Sequence, residues 1–308
     1  MSTAGAEKIV AENIDADSWF NEKELMWPGQ RMCLKVSKLL VDKKTKYQHA
    51  QVFDSETYGR VLALDGTIQV TERDECAYQE MIAHIPMFTH PSPKRVLIVG
   101  GGDGGVLREV CRHSVVEEVV MCEIDEEVVG ITKEYFARST ATAFDDPRLT
   151  LLFQDAADFM ATRENYFDVI IVDSSDPIGP AATLFEESFY FKKKTALRDG
   201  GIICSQAECM WLHLDLISEL VTFSRRIFDQ SKYCFTCMPT YPGGQIGFML
   251  CFKAGESAAA VELGKMGRDP PEAILSQLQY YNADMHASAF LLPQFLKKKL
   301  EEKKEQNK

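Results

Sequence analysis

Five carboxylates stand at or just after apolar, β-branched runs of the kind that form buried strands. They are Asp103, Glu123, Asp155, Asp173 and Asp176. In an open parallel sheet, ligands bind outside the carboxyl ends of the strands, so these side chains are expected along one edge. No Lys or Arg is interleaved in these loops to balance a phosphate. Such an acidic edge suits a positively charged nucleoside, an amine, or both.

The glycine cluster at residues 100–105 lies between a predicted buried strand and a run with helical spacing. Gly100, Gly102 and Gly105 match the dinucleotide fingerprint G-x-G-x-x-G, which by itself is a weak signal. Asp103 places a carboxylate where a pyrophosphate would need bare N–H groups, so the loop favours a cation over an anion. The alternative is that Asp103 only caps the following helix.

Two further strand ends carry acids with distinct expected uses. The strand Val119–Cys122 ends in Glu123, an acid suited to ribose hydroxyls. Asp173 follows the strand 167–172 in the position of a strand-terminal base, and helix capping is disfavoured there because prolines follow. The segment 173–180 contains two prolines and a glycine, which favours an irregular lid over the site. Asp176 either joins this site or forms an Asx-turn before Pro177.

Composition excludes several classes of protein. The net charge of −12 disfavours nucleic acid as a partner, because phosphate contacts need clustered Lys and Arg. We expect no membrane association, since no apolar run approaches the length of a span and no signal peptide is evident. Nine scattered cysteines indicate reduced thiols and a cytoplasmic protein. Cys234 and Cys237 form a C-x-x-C in an apolar run, which favours core cysteines over a zinc or redox site.

The order of predicted elements indicates two domains after a flexible N-terminus at 1–17. Short strands and hairpin signals predict a small antiparallel β domain at 18–75. A helix should follow and stop before Pro86. Strands and helices then alternate, which predicts an α/β, doubly wound, methyltransferase-like (Rossmann-like), mostly parallel sheet at 76–300, with an antiparallel hairpin at one edge. Helices are expected near 270–280 and 284–299, before a charged tail at 301–308.

Four stretches in this order resemble the spermidine synthases: 100–105, 123–125, 173–180 and 239–247. The resemblance covers roughly residues 19–253. It implies an enzyme that transfers the aminopropyl group of decarboxylated S-adenosylmethionine to putrescine, yielding spermidine and 5'-methylthioadenosine. It also implies a homodimer in which the nucleoside is a co-substrate, with no cofactor and no metal.

The resemblance assigns a role to each matching residue. Asp173 matches the catalytic base. Glu123 resembles the ribose ligand, and Asp155 with Ala156 resembles the adenine contacts. The donor site as a whole would comprise Gln48, Gln79, Asp103, Glu123, Asp155 and Ala156. The putrescine site would comprise Trp27, Tyr78, Asp173, Asp176, Gln206, Tyr241 and Ile246, with Glu208 at its far end.

The predicted chemistry is consistent with these residue types. An attacking amine must be neutral, and a carboxylate hydrogen-bonded to Tyr78 can accept its proton. The sulfonium leaves as a neutral thioether, so no strong general acid is required. His84, His113 and His213 lie on predicted helices and are interpreted as structural. One departure from the family pattern is Gln154, where glycine is usual before the adenine-loop aspartate.

Four other functions are alternatives to aminopropyl transfer to putrescine. A putrescine N-methyltransferase shares several motifs, but Asp103 favours an aminopropyl amine over the carboxylate of S-adenosylmethionine. A spermine synthase differs in acceptor length, which a linear sequence does not reveal. A non-catalytic polyamine-sensing homologue would need a lost base or clamp, and neither is lost. An NAD-dependent dehydrogenase is disfavoured by the acidic loop.

Overall fold

The computed structural model describes residues 11–23, 26–176, 183–255 and 261–306. They divide into two compact units. One unit covers the described residues up to Glu75 together with Pro239–Pro242. The other covers Cys76–Met238 and the described residues from Gly243 onward.

The first unit is built on a five-stranded antiparallel sheet in which each strand pairs with the next along the chain. Its strands are β1 (Trp19–Asn21), β2 (Cys33–Lys44), β3 (His49–Ser55), β4 (Arg60–Leu64) and β5 (Thr67–Thr71). One face packs around Phe20 and Phe53, whose rings lie 5.0 Å apart. Sequence patterning did not predict β1, because three residues are too few to show alternation.

The segment Pro239–Pro242 also belongs to the first unit, which sequence analysis did not predict. Asp74 is buried and holds it there. One carboxylate oxygen accepts from the Thr240 N–H at 3.0 Å and from the Thr240 hydroxyl at 2.8 Å. The other oxygen accepts from the Thr71 hydroxyl at 2.6 Å. Residues 166 positions apart are therefore joined by one side chain, a long-range contact that carries no local sequence signal.

The second unit contains a seven-stranded sheet in the order β11-β12-β10-β9-β6-β7-β8. The pairs among β10, β9, β6, β7 and β8 are parallel, and β12 pairs antiparallel with β10 and β11. The predicted fold class and edge hairpin are confirmed. The strands are β6 (Arg95–Gly100), β7 (Glu118–Glu123), β8 (Leu149–Phe153), β9 (Phe167–Asp173), β10 (Leu197–Gln206), β11 (Gln230–Cys237) and β12 (Gln245–Phe252).

Helices alternate with these strands and then close the chain. They are α1 (Glu75–Thr89), α2 (Gly105–Cys111), α3 (Glu126–Tyr135), α4 (Ala156–Met160), α5 (Glu187–Ala196), α6 (Leu214–Ile227), α7 (Glu272–Leu275), α8 (Ala283–Ser288) and α9 (Gln294–Gln306). The central strands β6 and β9 are buried except at Arg95, Gly100 and Asp173 at their ends, as a parallel sheet covered on both faces requires. Polar side chains of these central strands can therefore face a ligand only at the strand ends.

Helix α1 continues through Pro86, so the predicted stop before this residue is wrong. A proline inside a helix costs about 3 kcal/mol, because it removes a backbone hydrogen bond and crowds the preceding turn. Met87 and Phe88 beyond it are fully buried, and burying such side chains stabilises by about 1.5–3 kcal/mol each. The Thr89 hydroxyl also donates to the Ile85 carbonyl at 2.7 Å. The stabilisation from burying Met87 and Phe88 is therefore larger than the free-energy cost of placing Pro86 inside the helix.

The C-terminal helices are shorter than the sequence pattern indicated. The helix expected near 270–280 is the four-residue α7. The single helix expected at 284–299 is two helices, because a turn with Pro293 separates α8 from α9. Apolar spacing alone did not reveal this break.

Candidate active site

The loop between β6 and α2 crosses the end of β9 at very close range. A Cβ atom on Gly100 would meet the Asp173 carbonyl oxygen at 2.1 Å, and Gly100 and Gly101 have φ of 78° and 76°. The Gly101 N–H donates to the same Asp173 carbonyl at 2.9 Å. Only glycine fits this approach, since a side chain would collide and the backbone is left-handed. The loop therefore brings Asp173 and Asp103 to one place.

Asp103 makes the capping contact that the sequence offered as the alternative to cation binding, and it also contacts Gln79. Its Oδ1 accepts from the Gly105 N–H at 2.6 Å, which is a capping contact at the start of α2. The Gln79 side-chain amide, from α1, donates to both carboxylate oxygens at 3.1 Å. A Cβ on Gly105 would lie 2.4 Å from Gln79, so glycine makes room for this amide. Asp103 is thus held in a fixed orientation while staying partly exposed.

Asp173 is the last residue of β9. Its Oδ1 accepts from the Tyr78 hydroxyl at 2.7 Å. Its Oδ2 is buried and has no hydrogen-bond partner among the described residues. Burial raises the pKa of Asp173 well above its usual range, the negative charge of Asp103 raises it further, and the Tyr78 hydrogen bond opposes the shift. The unpaired oxygen and the high pKa are properties of a poised proton acceptor.

Glu123 ends β7 on the other side of the glycine loop. Burial raises its pKa to about 7, and backbone N–H groups, including that of Asp125 at 2.9 Å, oppose the rise. A Cβ on Gly102 would lie 3.0 Å from Glu123 Oε2, so the loop approaches this carboxylate closely. A buried carboxylate beside a bare backbone can accept two hydroxyl hydrogen bonds from a ribose.

Asp155 begins α4, and its side chain accepts from the Ala157 N–H at 2.7 Å. Ala156 is buried, whereas Asp155 and Gln154 are exposed. Gln154 is not among the residues with positive φ. Glycine is therefore not needed at this position for backbone reasons, and the departure from the family pattern leaves the turn into α4 intact.

The strand ends next to Asp173 form a second polar group. Val172 of β9 pairs with Ser205 of β10, so Asp173 and Gln206 lie side by side where the strands end. Gln206 pairs in turn with Phe248 of β12. Phe248 also packs against the Tyr78 ring, with centroids 5.7 Å apart. Tyr78, Asp173 and Gln206 are therefore brought together.

Glu208 lies two residues beyond β10 and is buried, with a left-handed φ of 64°. The Tyr233 hydroxyl and the Gly247 N–H hold its carbonyl at 2.8 and 3.0 Å. The Gln206 amide donates to its Oε1 at 3.2 Å, and Gln206 Oε1 is buried without a partner among the described residues. These contacts hold Glu208 in a backbone conformation that is uncommon for residues other than glycine. Ile246 lies nearby at the start of β12, buried.

Three predicted site residues lie in the first unit. Trp27 is buried, and its indole Nε1 has no hydrogen-bond partner among the described residues. Gln48 lies in the turn before β3, where its N–H donates to the Thr45 hydroxyl at 3.0 Å. The Tyr241 hydroxyl donates to the Gln69 carbonyl at 2.7 Å.

The predicted lid is only partly described. Asp176 is its last described residue, and 177–182 lie outside the described residues. In the described parts of the chain, no group of three or more His, Cys, Asp and Glu side chains could hold a metal ion. The helices described there include none that is long and apolar enough to cross a membrane.

Sequence reasoning missed one contact in this region. His213, interpreted as structural, immediately precedes α6, and its Nδ1 lies 2.8 Å from Glu208 Oε2. No motif marks this pair. The only available signal was the separation of five residues across a predicted helix start, which does not specify a contact.

Comparisons with known proteins identify the family of this chain. The spermine/spermidine synthase domain model matches residues 75–261, and the spermidine synthase tetramerisation domain model matches 18–72. Spermidine synthase of Dictyostelium discoideum is 51% identical over 284 residues, covering 92% of this chain and 98% of that protein. Spermidine synthase of Schizosaccharomyces pombe is 49% identical over 280 residues, covering 91% and 92%.

Two solved structures are also similar. One is a spermidine synthase in complex with the transition-state analogue AdoDATO, with a TM-score of 0.82, 33% identity, and coverage of 92% of this chain and 94% of that one. The other is spermidine synthase from Thermotoga maritima, with a TM-score of 0.81 and the same identity and coverage. The chain belongs to the spermidine synthase family.

Proposed function

We propose that this protein is a spermidine synthase, which transfers the aminopropyl group of decarboxylated S-adenosylmethionine to putrescine with Asp173 as the general base. The observation that carries the proposal is the buried Asp173 carboxylate, bonded to Tyr78 and close enough to Asp103 for its pKa to respond to that charge. Clustered carboxylates resist ionisation until cations arrive. Both reactants are cations.

The proposed step needs one proton acceptor and no metal or redox partner. The neutral primary amine of putrescine attacks the propyl carbon bonded to sulfur. A C–N bond forms, the C–S bond breaks, and its electron pair leaves with the sulfur of 5'-methylthioadenosine. The proton of the attacking nitrogen passes to Asp173, whose Oδ2 has no protein partner among the described residues. The remaining acceleration comes from holding two mutually repelling cations in line.

On the donor side, Asp103 is proposed to bind the aminopropyl ammonium, with Gln79 fixing its orientation. Glu123 is proposed to accept from the ribose hydroxyls, and Asp155 with Ala156 to contact adenine. These roles are supported by the strand-end positions of the residues. The part proposed for Gln48 rests on the sequence resemblance.

On the acceptor side, Asp176, Gln206 and Glu208 are proposed to bind the distal ammonium of putrescine. The support is chemical, because Gln206 Oε1 and the Glu208 carboxylate offer buried acceptors in a place with few protein donors. Tyr78 and Ile246 are proposed to contact the methylenes. The roles proposed for Trp27 and Tyr241 rest on the sequence resemblance.

A product assay with mass detection tests this function. Purified protein is offered putrescine or spermidine, each with decarboxylated or ordinary S-adenosylmethionine. We expect spermidine from putrescine and the decarboxylated donor alone. N-methylputrescine from the ordinary donor would identify a methyltransferase, and spermine from spermidine would identify the longer acceptor as the substrate. No product from any pair would support a non-catalytic homologue.

The predicted homodimer and cytoplasmic location are also kept as proposals. The tetramerisation-domain model over residues 18–72 supports an oligomer without deciding its size. Light scattering coupled to gel filtration distinguishes a dimer from a tetramer by mass.

A further inference from the structure

A histidine contacts the carboxylate that is proposed to bind the distal end of the acceptor. His213 Nδ1 lies 2.8 Å from Glu208 Oε2, and the two side chains are only 9% and 3% exposed. A backbone turn between Glu208 and His213 brings the two side chains together. The His213 N–H donates to the Cys209 carbonyl at 2.8 Å, and this turn folds the imidazole back onto Glu208. Neither group is free to move far.

Several other polar side chains lie around this pair or on the helix that follows it. Gln206 and Gln245 are amides. Burial raises the pKa of the Tyr233 phenol well above its usual range, and the charge of Glu208 adds to the rise. The Cys209 thiol accepts from the Gln245 amide at 3.6 Å. On α6 itself, Asp215 pairs with Lys299 at 2.7 Å and belongs to a separate ion pair.

Imidazole is the side chain that changes charge in the physiological range. With neutral His213, the pair carries one negative charge, which suits an ammonium group. With protonated His213, the pair carries no net charge, because the positive imidazolium balances the negative carboxylate. Desolvation makes this difference large, since a buried charge interacts more strongly than an exposed one.

We propose that His213 is a specificity-determining residue that sets how strongly the site prefers an acceptor with a second ammonium group. This inference rests on the proposed function and deepens it. Neutral His213 gives a strong preference for diamines over monoamines, and protonation of His213 weakens that preference. His213 therefore acts through Glu208 and not on the reacting atoms.

The test compares two acceptors that share the reacting amine. The ratio of kcat/KM for putrescine to kcat/KM for n-butylamine is measured between about pH 8 and about pH 6. Titration of Asp173 and of the donor site affects both acceptors and cancels in the ratio. We expect the wild-type ratio to fall about tenfold at the lower pH, the scale of one charge-assisted hydrogen bond.

The variant H213N places an amide near the position of Nδ1 without a titrating charge. We expect its ratio to match the wild type near pH 8 and to stay within about twofold across the range. The ratio cancels any general loss of activity that affects both acceptors, and H213Q serves as a second neutral variant. A parallel pH dependence in the wild type and both variants would overturn the proposal.

The variant E208Q separates this inference from the proposed function. Loss of the diamine preference in E208Q at every pH, together with a constant ratio in H213N, supports the role of both residues. An unchanged ratio in E208Q would contradict the placement of the distal ammonium at Glu208. In that case spermidine synthesis would stand while the role of His213 would fall.

Discussion

Asp103 makes two intramolecular contacts and is also the residue proposed to bind the donor ammonium. It caps the turn into α2 through Gly105, and Gln79 orients the same carboxylate from α1. The sequence favoured a cation-binding role for Asp103, with helix capping as the alternative. The capping contact does not conflict with the proposed donor-binding role, because the Asp103 carboxylate stays partly exposed.

The substitution Asp103→Ile tests the donor clamp. We expect decarboxylated S-adenosylmethionine to bind about 10- to 100-fold more weakly, the scale of a charge-assisted hydrogen bond. Ordinary S-adenosylmethionine should lose much less, because its carboxylate is repelled by Asp103 in the wild type. Calorimetric titration of both donors measures this difference. An equal loss of affinity for the two donors would show that Asp103 does not bind the aminopropyl ammonium.

Glu123 carries a stability cost that depends on pH. Its folded-state pKa is raised to about 7 by burial, so the folded protein binds this proton more tightly than the unfolded chain. The group therefore lowers the free energy of unfolding as pH rises from about 4.5 to about 7, by up to about 3 kcal/mol. The Glu123→Gln side chain cannot ionise, so the variant should not show this decrease in the free energy of unfolding. It should also bind the donor more weakly.

Urea unfolding at about pH 5 and about pH 8 measures the effect as the difference between wild type and Glu123→Gln. The variant should gain stability relative to the wild type at the higher pH. A relative stability that is the same at both values would show that Glu123 titrates normally. The control is Glu126→Gln, an acid in the first turn of α3.

At the scale of elements, α1 carries two candidate substrate-binding residues and is itself held by the C-terminal segment. Tyr78 and Gln79 lie on α1, directly before Glu80. The buried Glu80 carboxylate accepts from three successive backbone N–H groups, those of residues 279–281, at 2.7–2.9 Å. The sequence predicted the helix and its apolar face, and it did not predict this anchor or the passage through Pro86.

Glu80→Gln should loosen this anchor. The amide replaces one acceptor with a donor, so at least one N–H at 279–281 loses its partner, at a cost of about 1–3 kcal/mol. We expect faster hydrogen exchange at 279–281 and a lower kcat, because Tyr78 and Gln79 lose support. The matched control is the exposed Glu272→Gln on α7. Unchanged exchange at 279–281 would show that Glu80 does not hold the segment.

At the scale of the whole molecule, alternation of strands and helices was sufficient to predict the sheet and the acidic edge. The antiparallel domain followed from turn signals. Contacts that depend on tertiary packing were not predictable from the pattern of apolar and polar residues. Pro239–Pro242 joins the first unit through Asp74, and His213 reaches Glu208 through a turn, because both depend on packing rather than on spacing.

The net charge of −12 acts on both cationic substrates before they bind. Long-range attraction raises the association rate and is screened by salt. Raising the ionic strength from about 20 mM to about 200 mM should lower kcat/KM for putrescine by about 3- to 10-fold, with a smaller effect on kcat. Steady-state kinetics at constant pH measures both. Salt independence of kcat/KM would show that the acidic surface does not steer the acceptor.

The most direct test of the central claim is the turnover of Asp173→Asn with saturating decarboxylated donor and putrescine. The raised pKa of Asp173 places the acid limb of the wild-type profile above the range of an ordinary aspartate, and activity rises with pH as the carboxylate ionises. We expect the variant to bind the donor within a few-fold of the wild type, to turn over about 10²- to 10⁴-fold more slowly, and to lose this limb. Turnover within about threefold of the wild type, with the limb retained, would contradict Asp173 as the base.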